Sequence, residues 1–296
     1  MDNNGTKKLI SVKSFSPEEL RKWQMKLLEI LVYFRDFCEA HKLRFYLSAG
    51  TCLGAVRHHG FIPWDDDLDV AMPRPDYDKL LELWDKEADT SKFICSVTNK
   101  ERCARFPMAT IRSVNTTCIY DHSVNDDICQ GLKIDVEFLD GVPENRIHAL
   151  FNKVCARVFA LLNAQRVPMR FGNDFQRKAS KWILRIISNK NIRWKVSKWC
   201  ERRIKAIPFY SDCKYVRYLG VRPFLKEAYS DVIYMDFEGY KMPIPKGYDN
   251  HLKSLYGNYM ELPPLEKRQP ATDNLVFYDL DHSYLDYRGK YYCIES

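Results

Sequence analysis

Four carboxylates fall within five residues, at Asp65, Asp66, Asp67 and Asp69, and the segments on either side, Phe61-Ile62-Pro63-Trp64 and Val70-Ala71-Met72, are apolar. A solvated loop carries such a run at little cost. Beside a core it needs a compensating cation, and the apolar flanks argue for a partly buried setting. Side chains alternate faces along a strand. Asp67 and Asp69 therefore point the same way, Asp65 shares their side if the strand begins early, Leu68 and Val70 face the core, and Asp66 points away. Two ionised carboxylates about 7 Å apart repel by roughly 2 kcal/mol at an effective dielectric near 20. Hard divalent cations such as Mg²⁺ or Mn²⁺ relieve that repulsion, because they prefer oxygen ligands and also accept substrate phosphates. Paired metals clamp both oxygens of a phosphoryl transfer. The run thus predicts a metal site at Asp65, Asp67 and Asp69. A calcium loop is excluded: the acids match its spacing, but Val70 stands where the sharp turn needs Gly, and Pro73 occupies the ninth position.

Ahead of the acids lies Tyr46-Leu47-Ser48-Ala49-Gly50-Thr51. Residues 44–48 read as a strand, Gly50 as a turn, and 51–59 as a short helix. A strand, a glycine turn and a helix N-terminus together present backbone N–H groups to an anion. Gly50 and Thr51 are therefore candidates for holding a substrate phosphate. Arg57, within that helix, is a candidate for bidentate phosphate contacts. His58 and His59 read as helix-end residues rather than catalytic bases. Further on, Leu132, Ile134, Val136 and Phe138 alternate with Lys133, Asp135 and Glu137. Both acids fit a solvent-facing edge. If this strand neighbours the acidic one, Asp135 instead completes the metal site or accepts the proton of an acceptor hydroxyl.

Ser16-Pro17-Glu18-Glu19 has the pattern of a capping box and predicts a helix to about residue 41. Strands are expected at 67–72, 92–98, 105–113, 116–120 and 131–139. Helices are expected from residue 75, at 144–164 and at 174–205, with a strand or hairpin over 236–244 before a helix near 247–256. Interspersed helices and strands favour a mixed α/β (α+β) sheet flanked by helices. The expected organisation is one domain over 1–296 with a basic helical subregion at 144–206.

The stretches Phe45-Tyr46-Leu47-Ser48-Ala49-Gly50-Thr51-Cys52-Leu53-Gly54-Ala55-Val56-Arg57-His58 and Gly60-Phe61-Ile62-Pro63-Trp64-Asp65-Asp66-Asp67-Leu68-Asp69-Val70 resemble the LicD family, within the nucleotidyltransferase-fold superfamily. The resemblance continues in Ile134-Asp135-Val136-Glu137-Phe138-Leu139-Asp140-Gly141-Val142-Pro143, Phe237-Glu238-Gly239, Pro243-Ile244-Pro245-Lys246-Gly247-Tyr248-Asp249 and Tyr256-Gly257-Asn258-Tyr259-Met260. It implies transfer of a substituted phosphate, phosphocholine or a polyol phosphate, from a CDP-activated donor such as CDP-choline. The acceptor would be a hydroxyl of a cell-surface glycan precursor, with CMP leaving. It also implies that Asp67 and Asp69 are metal ligands, that Asp135 is the third acid, and that Gly50-Thr51 is the phosphate-binding turn. Two departures stand out. Ala49 occupies a position where the family often has Gly, and Gln269-Pro270 follows Arg268 where the family often has His.

The net charge of +7 is unevenly distributed. Residues 166–205 hold thirteen Lys or Arg against Asp174 and Glu201, a balance of +11 that leaves −4 for the remainder. Bulky apolar residues, Trp182, Trp194 and Trp199 among them, are interleaved with these charges. One reading is an amphipathic helix with a solvated basic face. The other is a surface for an anionic membrane or a polyanionic acceptor. No nucleic-acid recognition motif accompanies the charge. Residues 1–9 lack the apolar core of a signal peptide, and no apolar run of about 18 residues occurs, so a cytoplasmic location is expected, peripheral to the inner membrane face if 166–205 docks there. The ten cysteines lack metal-ligand spacing and read as buried or incidental thiols. Two other functional readings remain at this stage. One is transfer of NMP itself with pyrophosphate release, and the other is a non-catalytic glycan- or membrane-binding protein on the same fold.

Overall fold

The computed structural model describes residues 15–165, 167, 174–218, 223–270 and 274–294. Helix α1 (Pro17–Ala40) begins at the expected capping box: Ser16 Oγ accepts from the Glu19 N–H, and the Ser16 N–H donates to Glu19. Strand β1 (Tyr46–Leu47) leads into α2 (Ala49–His58), then β2 (Asp69–Pro73), α3 (Arg74–Glu87), β3 (Phe93–Ser96), β4 (Ala109–Ser113), β5 (Thr117–Tyr120) and the long β6 (Lys133–Gly141). Three helices follow: α4 (Arg146–Ala164), α5 (Asp174–Ile186) and α6 (Lys190–Ile204). The chain continues through β7 (Tyr215–Arg217), β8 (Phe224–Leu225), the hairpin β9 (Val232–Phe237) and β10 (Tyr240–Pro245), α7 (Tyr248–Tyr256) and β11 (Leu275–Asp279). This is the mixed α+β architecture expected.

The main sheet runs β1-β2-β6-β4-β3, with β7 joined to the end of β6 and β8 joined to β7. Among the described residues the β2–β6 pair is the one parallel pairing of this sheet; the others are antiparallel. Separate ribbons pair β9 with β10 and β5 with β11. The parallel pair matters most, because its register sets Asp69 opposite Asp135 and Ala71 opposite Glu137.

The apolar positions of β6, Ile134 and Val136, pack with Trp23, Leu27, Leu31 and Phe34 of α1 in the larger core cluster. Burial of each such side chain contributes about 1.5–3 kcal/mol. Alternation then leaves Lys133, Asp135 and Glu137 on the less buried face. All ten cysteines are free thiols and seven are buried, so they serve mainly as small core residues.

Several expectations need adjusting. The acidic strand begins at Asp69 rather than residue 67, so Asp65, Asp66 and Asp67 lie in the segment leading into β2. Gly50 is the second residue of α2 and not a turn before it. The helix expected over 174–205 is two helices, because Asn189 caps α6 by accepting from the Asn191 and Ile192 N–H groups. The short strands β7 and β8, and β11, are additional to the expected elements. Residues 166 and 168–173 of the basic segment lie outside the described residues.

Candidate active site

Three elements hold the acidic segment in place. From α1, Trp23 Nε1 donates to the Asp66 carbonyl at 2.8 Å, and Gln24 Nε2 donates to the Asp65 carbonyl at 2.9 Å. From α2, Thr51 Oγ1 accepts from the Asp69 N–H at 2.9 Å. From β6, the Asp135 N–H donates to the Leu68 carbonyl at 2.9 Å, so the ladder to β6 starts one residue before β2. Leu68 and Val70 are buried as the alternation requires. The turn between β9 and β10 closes the preceding loop: Glu238 accepts from the Phe61 N–H at 3.1 Å and forms a two-point ion pair with Arg21. That gives the Phe237-Glu238-Gly239 stretch a structural role.

The acids share one electrostatic neighbourhood. Asp65 is pushed up to about 8, by desolvation first and then by Asp67 and Asp66. Asp67 opens onto solvent, yet loss of hydration in crowded surroundings, with Asp66 and Asp135 nearby, raises it to about 6. Asp69 lies well above the usual carboxylate range, from desolvation and then from Asp67, Glu137 and Asp135. Glu137 rises to about 7 through desolvation and the charge of Asp135. Among the described residues one cation answers this accumulation: Lys133 Nζ sits 2.6 Å from both oxygens of Asp135, and its charge partly offsets the rise at Asp67 and Asp69. The set is thus short of positive charge, and every donor in it is a hard carboxylate oxygen. That is the chemistry a Mg²⁺-type ion requires. Among the described residues, no three His, Cys, Asp or Glu side chains already converge as a closed metal cage.

The remaining candidates take distinct places. A Cβ at Gly50 would lie 2.9 Å from Asp65 Oδ2, so the absent side chain makes room for that carboxylate. The N-terminus of α2, with its partial positive charge, therefore stands against Asp65 and Asp69. Ala49 adopts φ +43°, a left-handed conformation that explains why Gly suits this position. Arg57 reaches across to the segment after α7, where Nη1 donates to the carbonyls of Tyr259 at 2.6 Å and Glu261 at 3.3 Å. Desolvation and nearby Arg268 lower its pKa. Arg268 in turn lies 5.4 Å from the Trp64 ring, next to the acids.

Two further residues stand in this neighbourhood without a local sequence pattern that marks them. Glu137 fits an open edge by its pattern, but in the structure it belongs to the cluster. Its Oε2 lies 3.3 Å from Ser48 Oγ, which starts a chain of hydroxyls running through Tyr218 at 3.1 Å and Tyr229 at 2.9 Å to His251 Nδ1 at 2.9 Å. Tyr256 of α7 is close enough that desolvation and then Asp69, Asp65 and Asp67 raise its phenol. Its place within a family-like stretch was the only available signal.

The family model for the nucleotidyltransferase domain of LicD, FKTN and FKRP matches residues 42–126, the span that carries α2 and the acidic segment. Over 270 residues, 85% of this chain and 95% of the relative, the sequence is 30% identical to the lipopolysaccharide cholinephosphotransferase LicD of Haemophilus influenzae. A shorter match, 33% identity over 69 residues, covers 21% of this chain and 26% of an uncharacterized protein of Rickettsia prowazekii. With the matched segment forming the acid-rich corner of the sheet and the similarity extending along most of both chains, this protein belongs to the LicD family.

Proposed function

We propose that the protein is a divalent-metal-dependent phosphotransferase that moves a phosphocholine-like group from a CDP-activated donor to a hydroxyl of a glycan, releasing CMP. The observation that carries this reading is the β2–β6 register, which sets Asp69 opposite Asp135 beside Asp65, Asp67 and Glu137. The name of the Haemophilus relative supplies the group transferred and the acceptor class.

In this reading Asp67, Asp69 and Asp135 hold Mg²⁺ or Mn²⁺, with Asp65 adjoining. When bound, the cation polarises the transferred phosphoryl group and offsets charge building on its oxygens. Thr51 fixes the start of β2 and hence the position of Asp69. The N-terminus of α2, with Gly50 and Thr51, favours the donor phosphates, and Arg57 and Arg268 add positive potential on the side of Trp64. As the acceptor oxygen bonds to phosphorus, the bond to the CMP oxygen breaks and CMP leaves with its electron pair. The acceptor proton passes to a carboxylate of the cluster.

A release assay over CDP-choline, CDP-ribitol and CDP-glycerol, with a lipopolysaccharide-type acceptor and Mg²⁺ or Mn²⁺, tests the reading. Free CMP is expected, with turnover lost at least a hundredfold in Asp67→Asn. Pyrophosphate in place of CMP would reassign the chemistry to nucleotidyl transfer. Full turnover by Asp67→Asn would remove the site.

A further inference from the structure

Helix α5 contains no buried residue. At 100° per residue its exposed Phe175, Trp182 and Ile186 project within about 40° of one another. Lys178 and Arg185 border this stripe along one side and Lys181 lies just beyond them, all three exposed. Ile183, Leu184 and Ile187 are less exposed than the residues of the stripe. Phe175 is 77% exposed and Trp182 66%, so most of the surface of these bulky apolar groups lies in water.

The neighbouring helices repeat the pattern. In α4 one stripe, including Cys155, Ala156 and Phe159, enters the core, while Ile147, Leu150, Phe151 and Val154 form a second apolar stripe that stays exposed. The Phe151 ring meets Trp199 of α6 edge-on at 5.9 Å, joining the stripes of α4 and α6. On α6, cations sit directly on the tryptophans: Lys198 Nζ is 4.7 Å from the Trp194 ring, and the Arg203 guanidinium is 5.4 Å from Trp199. Residues 174–205 carry eleven Lys or Arg against two acids. Contiguous apolar patches mark interaction sites. An apolar stripe bordered by cations, with aromatic rings at the boundary, fits an anionic lipid surface, where the rings enter the headgroup layer and the cations meet phosphates. Among the described residues no helix is long and apolar enough to cross a membrane.

We infer that α5, with the exposed stripes of α4 and α6, is a peripheral docking surface for an anionic lipid bilayer. The occupant is the bilayer surface rather than a soluble polyanion or a second copy of the chain. Charge alone would suit a polyanion, but a polyanion offers no apolar phase for Phe175, Trp182 and Ile186. A second copy would bring the same positive charge against itself.

Flotation of the full chain with vesicles tests this. Binding is expected to phosphatidylglycerol-containing vesicles, to be weak on phosphatidylcholine alone, and to fall steeply with salt. Each of Lys178→Gln, Lys181→Gln and Arg185→Gln is expected to weaken binding about fivefold. Trp182→Ala should weaken it at least as much while leaving binding to soluble heparin unchanged. CMP release with a soluble acceptor should be the same in all four variants, which separates failure of docking from failure of the proposed chemistry. The inference is overturned if anionic vesicles are not bound at low salt, or if these variants bind them as the parent does. It is also overturned if Trp182→Ala instead abolishes self-association of the lipid-free protein in sedimentation velocity.

Discussion

Ala49 opens α2 at φ +43°, where an L side chain meets the following carbonyl at a cost of about 1–2 kcal/mol. Ala49→Gly should relieve that strain, offset in part by the greater freedom of Gly in the unfolded chain, and raise stability by up to about 1 kcal/mol. A thermal melt should rise by about 2 °C; a lower melting temperature would show that the Ala49 methyl packs better than the angle suggests. The next residue behaves differently. Gly50→Ala adds a Cβ 2.9 Å from Asp65 Oδ2 and must displace that carboxylate, while Ala is the better helix former. Divalent-cation affinity should drop about tenfold by titration calorimetry with stability held or slightly increased, and unchanged affinity would detach Asp65 from the metal site. These two neighbours show how much a local pattern tells. The alternation of Leu68 and Val70 with Asp67 and Asp69 predicts that these two acids stand together, and the charge of Asp67 does act on Asp69. Glu137 and Lys133 are not legible in this way, because their role depends on which strand lies beside β6, and no residue of β6 encodes its neighbour.

Arg74 begins α3 and Asp140 lies near the end of β6, and their side chains, each 5% exposed, form a two-point ion pair at 2.9 and 2.7 Å. The guanidinium also lies 3.3 Å from the centre of the Phe138 ring, so the helix is fastened to the strand that carries Asp135 and Glu137. Desolvation pushes the Asp140 carboxyl up despite its partner. Arg74→Met should therefore leave a buried uncompensated acid and cost about 3–5 kcal/mol, whereas Arg74→Met with Asp140→Leu should recover most of that loss. Urea unfolding of the three proteins measures the difference, and a double variant no better than the single one would place the loss in packing rather than charge. Element by element, the long periodic helices and the alternating β6 were readable because each carries its own repeat. The break between α5 and α6 is masked in the sequence because apolar and basic spacing runs on through Ile186 and Ile187, although Asn189 is a recognisable cap. Strands β7, of three residues, and β8, of two, are too short to express a period. They exist because the end of β6 offers unpaired backbone at Asp140 and Gly141.

Across the molecule, opposing titrations set the pH at which the fold is most secure. Asp65, Asp67 and Glu137 titrate near 8, 6 and 7 in the folded chain, above the ordinary range near 4 of an unfolded carboxylate. The folded state then holds more protons than the unfolded one between those limits. The stability these groups contribute is complete below about 4 and is lost as pH rises through 6 to 8. His251 works in the other direction. Burial lowers it to about 4, so its contribution is present above its ordinary value near 6.5 and is lost as pH falls toward 4. The proposed divalent cation would bind only the ionised acids, so its stabilisation should grow over the same window in which the metal-free acids destabilise the fold. At a hundredfold excess over the dissociation constant that stabilisation is about 2.7 kcal/mol. The melting temperature in chelator should therefore fall between pH 6 and pH 8, and millimolar Mg²⁺ should raise it more at pH 8 than at pH 6. Asp67→Asn should reduce both the fall and the rescue, since it removes one charge from the cluster and one proposed ligand of the cation. Equal Mg²⁺ shifts at the two pH values would mean that the cation binds elsewhere. A melting temperature in chelator that climbs from pH 6 to 8 would mean that the acids already have sufficient counter-charge from Lys133 and the N-terminus of α2.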